Sequence, residues 1–172
     1  MDFSLTPKTE QLRKRVSDFM DQYVFPIEKE VQRAMGESGN TEPQSLKDVR
    51  KKAKAEGLWN LFLPDEKYGA GLKNYEYAPL CELMGRSPIG ARAFNCMAPD
   101  TGNMEILAEF GTAQQQEEWL LPLLNGEPHA LVGLRLGGNS HIAIDRHGRH
   151  LSDCPSAPYH MRGRLDRTLL VF

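Results

Sequence analysis

The sequence is short of long apolar runs. Its longest, Leu58 to Leu63 and Trp119 to Leu124, fall well below the ~20 residues a membrane helix needs, and Asn60 and Pro122 interrupt them. No membrane span is expected. Cysteine is scarce: Cys81, Cys96 and Cys154 are an odd number without paired metal-ligand spacing, which argues against a disulfide framework or a zinc site and for a reducing compartment. Neither sign of charge dominates, with 21 Lys plus Arg against 23 Asp plus Glu. That leaves no bulk excess of positive charge for a nucleic acid or an anionic membrane. The opening Met1-Asp2-Phe3-Ser4 lacks the basic and apolar regions of a secretion signal, and helix signals begin within a few residues, so a cytoplasmic location is expected. What is present, 172 residues of which 40% are hydrophobic, suffices for one core burying roughly 70% of the surface the unfolded chain exposes.

Histidine is missing from the first 127 residues, and all five histidines follow Glu127. Lys and Glu do the reverse, stopping at Glu127. Residues 128–172 carry six Arg against three Asp, are rich in Gly, Pro and Ser, and show no sustained apolar period. The compositional boundary therefore falls at about residue 127. Before it lies a helical domain (1–127), and after it an irregular, poorly ordered tail (128–172). Any strand in that tail, near Leu131 to Leu136 or His141 to Ile144, would have to pair as a lone ribbon.

The first 127 residues show helical spacing throughout. Thr6 and Pro7 open a helix carrying Leu12, Val16, Phe19, Met20 and Tyr23, and Pro26 is expected to end it. A second runs from Pro26 to near Gly36, and polar residues from Ser38 to Pro43 suggest a surface loop. Ser45 precedes a third, whose Arg50, Lys51, Lys52 and Lys54 approach the stop at Gly57. That basic cluster invites an anion-binding reading, against the plainer one of a solvated helix end. Asn74 is expected to cap a fourth helix ending at Gly85, and Asp100 or Thr101 to begin a fifth ending at Gly111. Thr112-Ala113-Gln114-Gln115 is a capping box leading into Trp119, Leu120, Leu123 and Leu124, with Gly126 as stop. Together these predict an all-α domain, an up-and-down bundle of about six helices.

Chemistry is sparse in this domain. Without histidine no Ser-His or Cys-His pair can form, and no catalytic, cofactor-binding or metal-ligating set emerges from the residues themselves. Tyr68-Gly69-Ala70-Gly71-Leu72 lacks the Lys and Ser/Thr of a phosphate loop and is expected to be a tight turn. Cys81 and Cys96 sit among apolar neighbours, as packed core thiols would. Asp65 and Glu66 read as loop surface.

The succession Ala55-Glu56-Gly57-Leu58, Leu63-Pro64 with Tyr68-Gly69-Ala70-Gly71-Leu72, Glu82-Leu83-Met84-Gly85-Arg86-Ser87, Ala98-Pro99-Asp100-Thr101-Gly102-Asn103-Met104, and Phe110-Gly111-Thr112 with Trp119-Leu120, Pro122-Leu123-Leu124 and Gly126-Glu127 resembles the N-terminal helical domain of the acyl-CoA dehydrogenases. The stretch from Asn95 to Met104 is similar to the branch containing family members ten and eleven. The resemblance covers residues 3–127. It implies flavin-dependent α,β-desaturation of an acyl-CoA in fatty-acid oxidation, with FAD held between a middle β-domain and a C-terminal helical domain that carries the catalytic glutamate. It also implies that the N-terminal helices wall the acyl-chain end of the pocket, which points to Phe94, Asn95, Met97, Asp100, Thr101 and Asn103 as lining residues. All but Phe94 and Met97 could equally be caps and turn formers.

After Glu127 the family pattern of a strand and a Thr-Glu-Pro turn is missing from Pro128 to Arg135. Two readings stay open. One is a truncated acyl-CoA dehydrogenase, inactive alone and binding no FAD, with an altered frame or alternative exon behind the change in composition. The other is a non-catalytic helical interaction module, pairing with another copy or a full-length relative. In either, a face including some of Leu58, Trp59, Leu61, Phe62, Met97 and Met104 is expected to stay uncovered.

Overall fold

The computed structural model describes residues 4–37, 42–98 and 100–127, with two short strands beyond them. By its internal contacts the chain divides into two compact units, Met1–Met97 and Ala98–Phe172.

In the first unit, α1 (Pro7–Phe19) begins where the sequence places it. Thr6 takes extended backbone angles, and its hydroxyl accepts the Thr9 N–H at 3.2 Å, which satisfies one of the orphan donors of the first turn. Pro26 does not end this helix. A π-helical turn (Met20–Val24) and a 3-10 turn (Phe25–Ile27) carry the chain through into α2 (Glu28–Glu37), because the Phe25 N–H already reaches back five residues to the Met20 carbonyl. Buried Met20 and Val24 hold the widened turn against the core.

Next, α3 (Gln44–Ala55) starts one residue before Ser45 and stops at Gly57. There φ is +68°, and the Leu58 N–H closes on the Ala53 carbonyl at 2.8 Å, the six-to-one bond of a Schellman stop. Helix α4 (Asn74–Met84) takes Lys73, not Asn74, as its cap residue: the Glu76 carboxylate accepts the Lys73 N–H at 3.0 Å. The same carboxylate accepts the Thr6 hydroxyl at 3.1 Å and the Thr9 hydroxyl at 3.4 Å, so the N-termini of α1 and α4 are pinned together where the helices pack. A short helix, α5 (Gly90–Ala93), packs against both α3 and α4.

Leu12, Val16 and Phe19 from α1, Leu46 and Ala53 from α3, and Leu80 and Met84 from α4 are buried in this unit. So are Leu58, Leu61 and Phe62, and Met104 is buried in the second unit. This corrects the expected bare face, of which only Met97 is exposed and Trp59 half-buried. Among the described residues the large exposed apolar side chains are Met97 together with Phe25, Tyr75, Phe110 and Leu121. The 58–63 run escapes exposure because its polar interruption, Asn60, adopts a left-handed turn (φ +53°) and is itself buried.

In the second unit, α6 (Asp100–Phe110) ends at Gly111, whose N–H closes on the Leu107 carbonyl at 3.1 Å. The Gln116 amide donates to the Leu107, Ala108 and Gly111 carbonyls at 3.2 to 3.3 Å and so caps the same end from the side. The capping box forms as expected, with Thr112 N–H to Gln115 Oε1 at 2.9 Å and Gln115 N–H to Thr112 Oγ1 at 3.3 Å. From it α7 (Ala113–Gln115), a π-helical turn (Gln116–Leu120) and α8 (Leu121–Asn125) run on to Gly126, which is left-handed at φ +76°. Strands β1 (Leu131–Gly133) and β2 (Ile142–Ile144) pair antiparallel, Leu131 opposite Ile144, as a two-stranded ribbon. They are a regular element within the stretch expected to be irregular. The rest of 128–172, and residues 38–41 of the expected loop, lie outside the described residues. No helix among the described residues is long and apolar enough to cross a membrane.

Candidate functional site

Asn60 and Asn95 are the non-glycine residues with positive φ, at +53° and +56°, among those described. Asparagine tolerates this region because its short polar side chain bonds locally. Here the two bond to each other. The Asn95 amide nitrogen donates to Asn60 Oδ1 at 2.6 Å, while the Asn60 backbone N–H donates to the Phe94 carbonyl at 3.1 Å. On its other side the Asn95 Oδ1 accepts from Arg50 Nη2 at 3.3 Å. Arg50 Nη1 in turn donates to both Glu42 oxygens, at 2.6 and 2.7 Å, and the guanidinium lies 5.4 Å from the Trp59 ring centre. The result is a four-residue polar chain from the α3 face to the turn after α5. Glu42, Arg50 and Asn60 were not among the expected site residues. Asn60 stood in the sequence only as a gap in an apolar run, and Arg50 as one of four neighbouring cations.

The six expected lining residues are divided between the units. In the first, Phe94 is wholly buried with its ring 5.2 Å from that of Phe19, Asn95 is buried in the polar chain, and Met97 is 36% exposed. In the second, Asp100 and Thr101 are half-buried in the first turn of α6, where an acidic side chain suits the helix dipole, with Asn103 half-buried just behind.

One thiol is packed as expected and the other is not. Cys96 is buried and donates to the Phe94 carbonyl at 3.3 Å, but Cys81 is exposed, because its position on α4 faces outward. Burial pushes the Cys96 thiol up to about 11 and raises Tyr77 as well, so both stay protonated near neutral pH and neither is a nucleophile there.

Asp65 is exposed loop surface as expected, and the glycine turn is built around it. The Asp65 carboxylate accepts the Lys67 and Tyr68 N–H groups at 2.7 and 3.1 Å, its carbonyl accepts the Gly69 N–H at 2.8 Å, and Lys8 Nζ donates to the Ala70 carbonyl at 2.7 Å. A dinucleotide's diphosphate needs such amides free. Those of residues 67–69 are already taken, so this turn does not offer them to a diphosphate. The α3 cations are also engaged, Arg50 with Glu42, Lys52 over Tyr23 at 4.6 Å, Lys54 over Trp59 at 5.9 Å and Lys51 with Asp48 at 3.8 Å, which favours the solvated helix end over an anion site. No group of three or more potential ligands that could hold a metal occurs among the described residues.

Residues 6–127 match the family profile described as acyl-CoA dehydrogenase, N-terminal domain. The chain is 51% identical to acyl-CoA dehydrogenase family member 10 of Mus musculus over 128 residues, 71% of this chain and 12% of the mouse protein. Probable acyl-CoA dehydrogenase FadE2 of Mycobacterium tuberculosis is 50% identical over 131 residues, covering 74% of this chain and 31% of its own length. Acyl-CoA dehydrogenase family member 11 of Mus musculus is 43% identical, over 73% of this chain and 16% of its own length. A solved structure of a Mycobacterium abscessus protein assigned to the acyl-CoA dehydrogenases matches with a TM-score of 0.69 at 41% identity, covering 75% of this chain and 34% of that one. The chain thus spans between 12% and 31% of the length of these curated relatives.

Proposed function

This chain belongs to the acyl-CoA dehydrogenase family, as its N-terminal domain, and from that premise we propose that residues 6–127 act as the helical wall at the acyl-chain end of an acyl-CoA dehydrogenase. In this reading the substrate is an acyl-CoA thioester, the reaction is FAD-dependent α,β-desaturation, and the flavin and the catalytic glutamate come from other domains. The chain is inactive alone. The observation that carries the reading is a helical domain matched across residues 6–127 that holds no histidine and whose buried Cys96 thiol is driven away from reactivity. Within the first unit Met97 is the expected residue left exposed to meet an acyl chain, with Phe94 and Asn95 supporting it from behind. Within the second, Asp100, Thr101 and Asn103 are the proposed contributors.

The exposed Phe110 (72%) and Leu121 (43%) favour a second reading, a non-catalytic module that pairs with a helical partner or another copy. A segment exchange decides between them. Residues 6–127 replace the matching segment of the Mycobacterium tuberculosis relative, and acyl-CoA-dependent reduction of a dye acceptor is followed. The exchanged enzyme is expected to keep its flavin and its turnover, and the 172-residue chain to show neither. A folded, flavin-loaded exchange protein that oxidises none of its parent's substrates would refute the first reading.

A further inference from the structure

Where the chain needs a left-handed residue elsewhere in the described segments, at Gly57, Gly71 and Gly126, it uses glycine, which adopts that conformation without strain. At 60 and 95 it uses asparagine, which tolerates that conformation less freely than glycine, and the two side chains face each other. The side chains, not the backbone bends alone, are what these positions require. Their chemistry also fixes a direction. Arginine can only donate, so the atom Asn95 turns to Arg50 is its oxygen; its NH2 then faces Asn60, which must answer with an acceptor. Glu42 grips Arg50 with both oxygens and anchors the far end.

We infer that Asn60 and Arg50 are positioning residues that clasp Asn95 and so hold the 94–97 turn, with Met97 as the side chain the turn presents. What Met97 meets rests on the acyl-end reading above; the clasp does not. Asn95 thereby becomes the held centre of the turn and not part of a pocket lining, and two residues outside the expected set become determinants of its shape. The clasp makes three local bonds interdependent, from the Asn60, Asn95 and Cys96 N–H groups to the carbonyls of Phe94, Arg92 and Ala91.

The test is amide hydrogen exchange on the full 172-residue chain. Asn60→Asp keeps an acceptor toward Asn95 and should leave exchange at residues 60, 95 and 96 within about twofold of wild type. Asn95→Gly keeps the left-handed turn free of strain but removes both the donor toward Asn60 and the acceptor toward Arg50, and should speed exchange at those three amides by about tenfold or more, while amides in the middle of α1 and α4 stay slow. Asn60→Gly relieves the backbone but removes the clasp, and should resemble Asn95→Gly. Arg50→Lys keeps the charge opposite Glu42 but loses the planar fork, and should loosen the same three amides to a smaller degree. If Asn95→Gly fails to fold, Asn60→Gly and Arg50→Lys carry the test. Equal behaviour of Asn60→Asp and Asn95→Gly, or wild-type exchange in both Asn60→Gly and Arg50→Lys, would overturn the clasp and leave the acyl-end reading standing. Failure of the segment exchange would leave the clasp standing.

Discussion

Phe94→Ala measures how far the 94–97 turn is welded to the helical core. Phe94 is wholly buried, its ring inclined at 56° to that of Phe19 at a centroid distance of 5.2 Å, and Phe19 leans in turn on Tyr23 at 4.9 Å. Truncating a buried phenylalanine costs about 3 to 5 kcal/mol through lost transfer energy and the cavity left behind. Of this, about 0.5 to 1.5 kcal/mol belongs to the ring pair itself. At a urea slope of about 1.5 kcal/mol/M the midpoint should fall by about 2 to 3 M, a large part of the stability of a domain this size. Far-UV circular dichroism and tryptophan fluorescence should follow the same transition. The double variant with Phe19→Leu should fall short of additivity by about the pair energy. A loss below about 1 kcal/mol would show that the ring is not packed as described, and the argument that Phe94 supports the turn from behind would go with it.

Two further outcomes follow from titrating groups. The Lys73 N–H holds the Glu76 carboxylate below its ordinary value of 4.5, with the Thr6 hydroxyl assisting and burial opposing. Its contribution to stability is therefore present above pH 4.5 and lost as pH falls through the lower folded value; Glu76→Gln should remove that part of the acid limb in a thermal denaturation series, and parallel profiles would count against the pinning of α1 to α4. With Cys96 buried and pushed up to about 11, a maleimide should label Cys81 well before Cys96 in the native chain, and peptide mapping that found Cys96 labelled first would contradict the packing around Tyr77.

The features legible in the sequence are those whose physics closes within a few residues. Thr6 capping Thr9, the Thr112 and Gln115 box, and the stops at Gly57, Gly111 and Gly126 all depend on neighbours three to six positions away, and all are where the pattern put them. The misreadings lie where the partner is distant. Asn60 and Asn95 are 35 positions apart and Arg50 and Asn95 are 45 apart, so no local pattern distinguishes a buried polar chain from a break in an apolar run and a turn former. Cys81 illustrates the same limit. Its apolar neighbours suggested burial, but which side of α4 meets the core is set by packing against α1 and α5. Lys73 displaced Asn74 as cap because Glu76 could reach back to it while also taking Thr6 and Thr9 from another helix.

Pro26 was misread for a reason internal to the helix, and Pro122 repeats it, whereas Pro79 lies inside α4 without a π-helical turn. A proline inside a helix cannot donate to the carbonyl four residues back, and its ring crowds that carbonyl. At the first two, the residue just before the proline has already shifted its bond by one step: the Phe25 N–H reaches Met20, and the Leu121 N–H reaches Gln116, each five residues back. The π-helical turn widens the backbone ahead of the ring, and the helix passes through. Such a turn is poorer than an α-turn on its own, so it needs burial to offset it. Met20 and Val24 supply that in one unit and Leu120 in the other, with relative exposures of 2%, 0% and 0%. At Pro26 and Pro122, then, a preceding turn with apolar side chains to bury lets the expected break become a register shift.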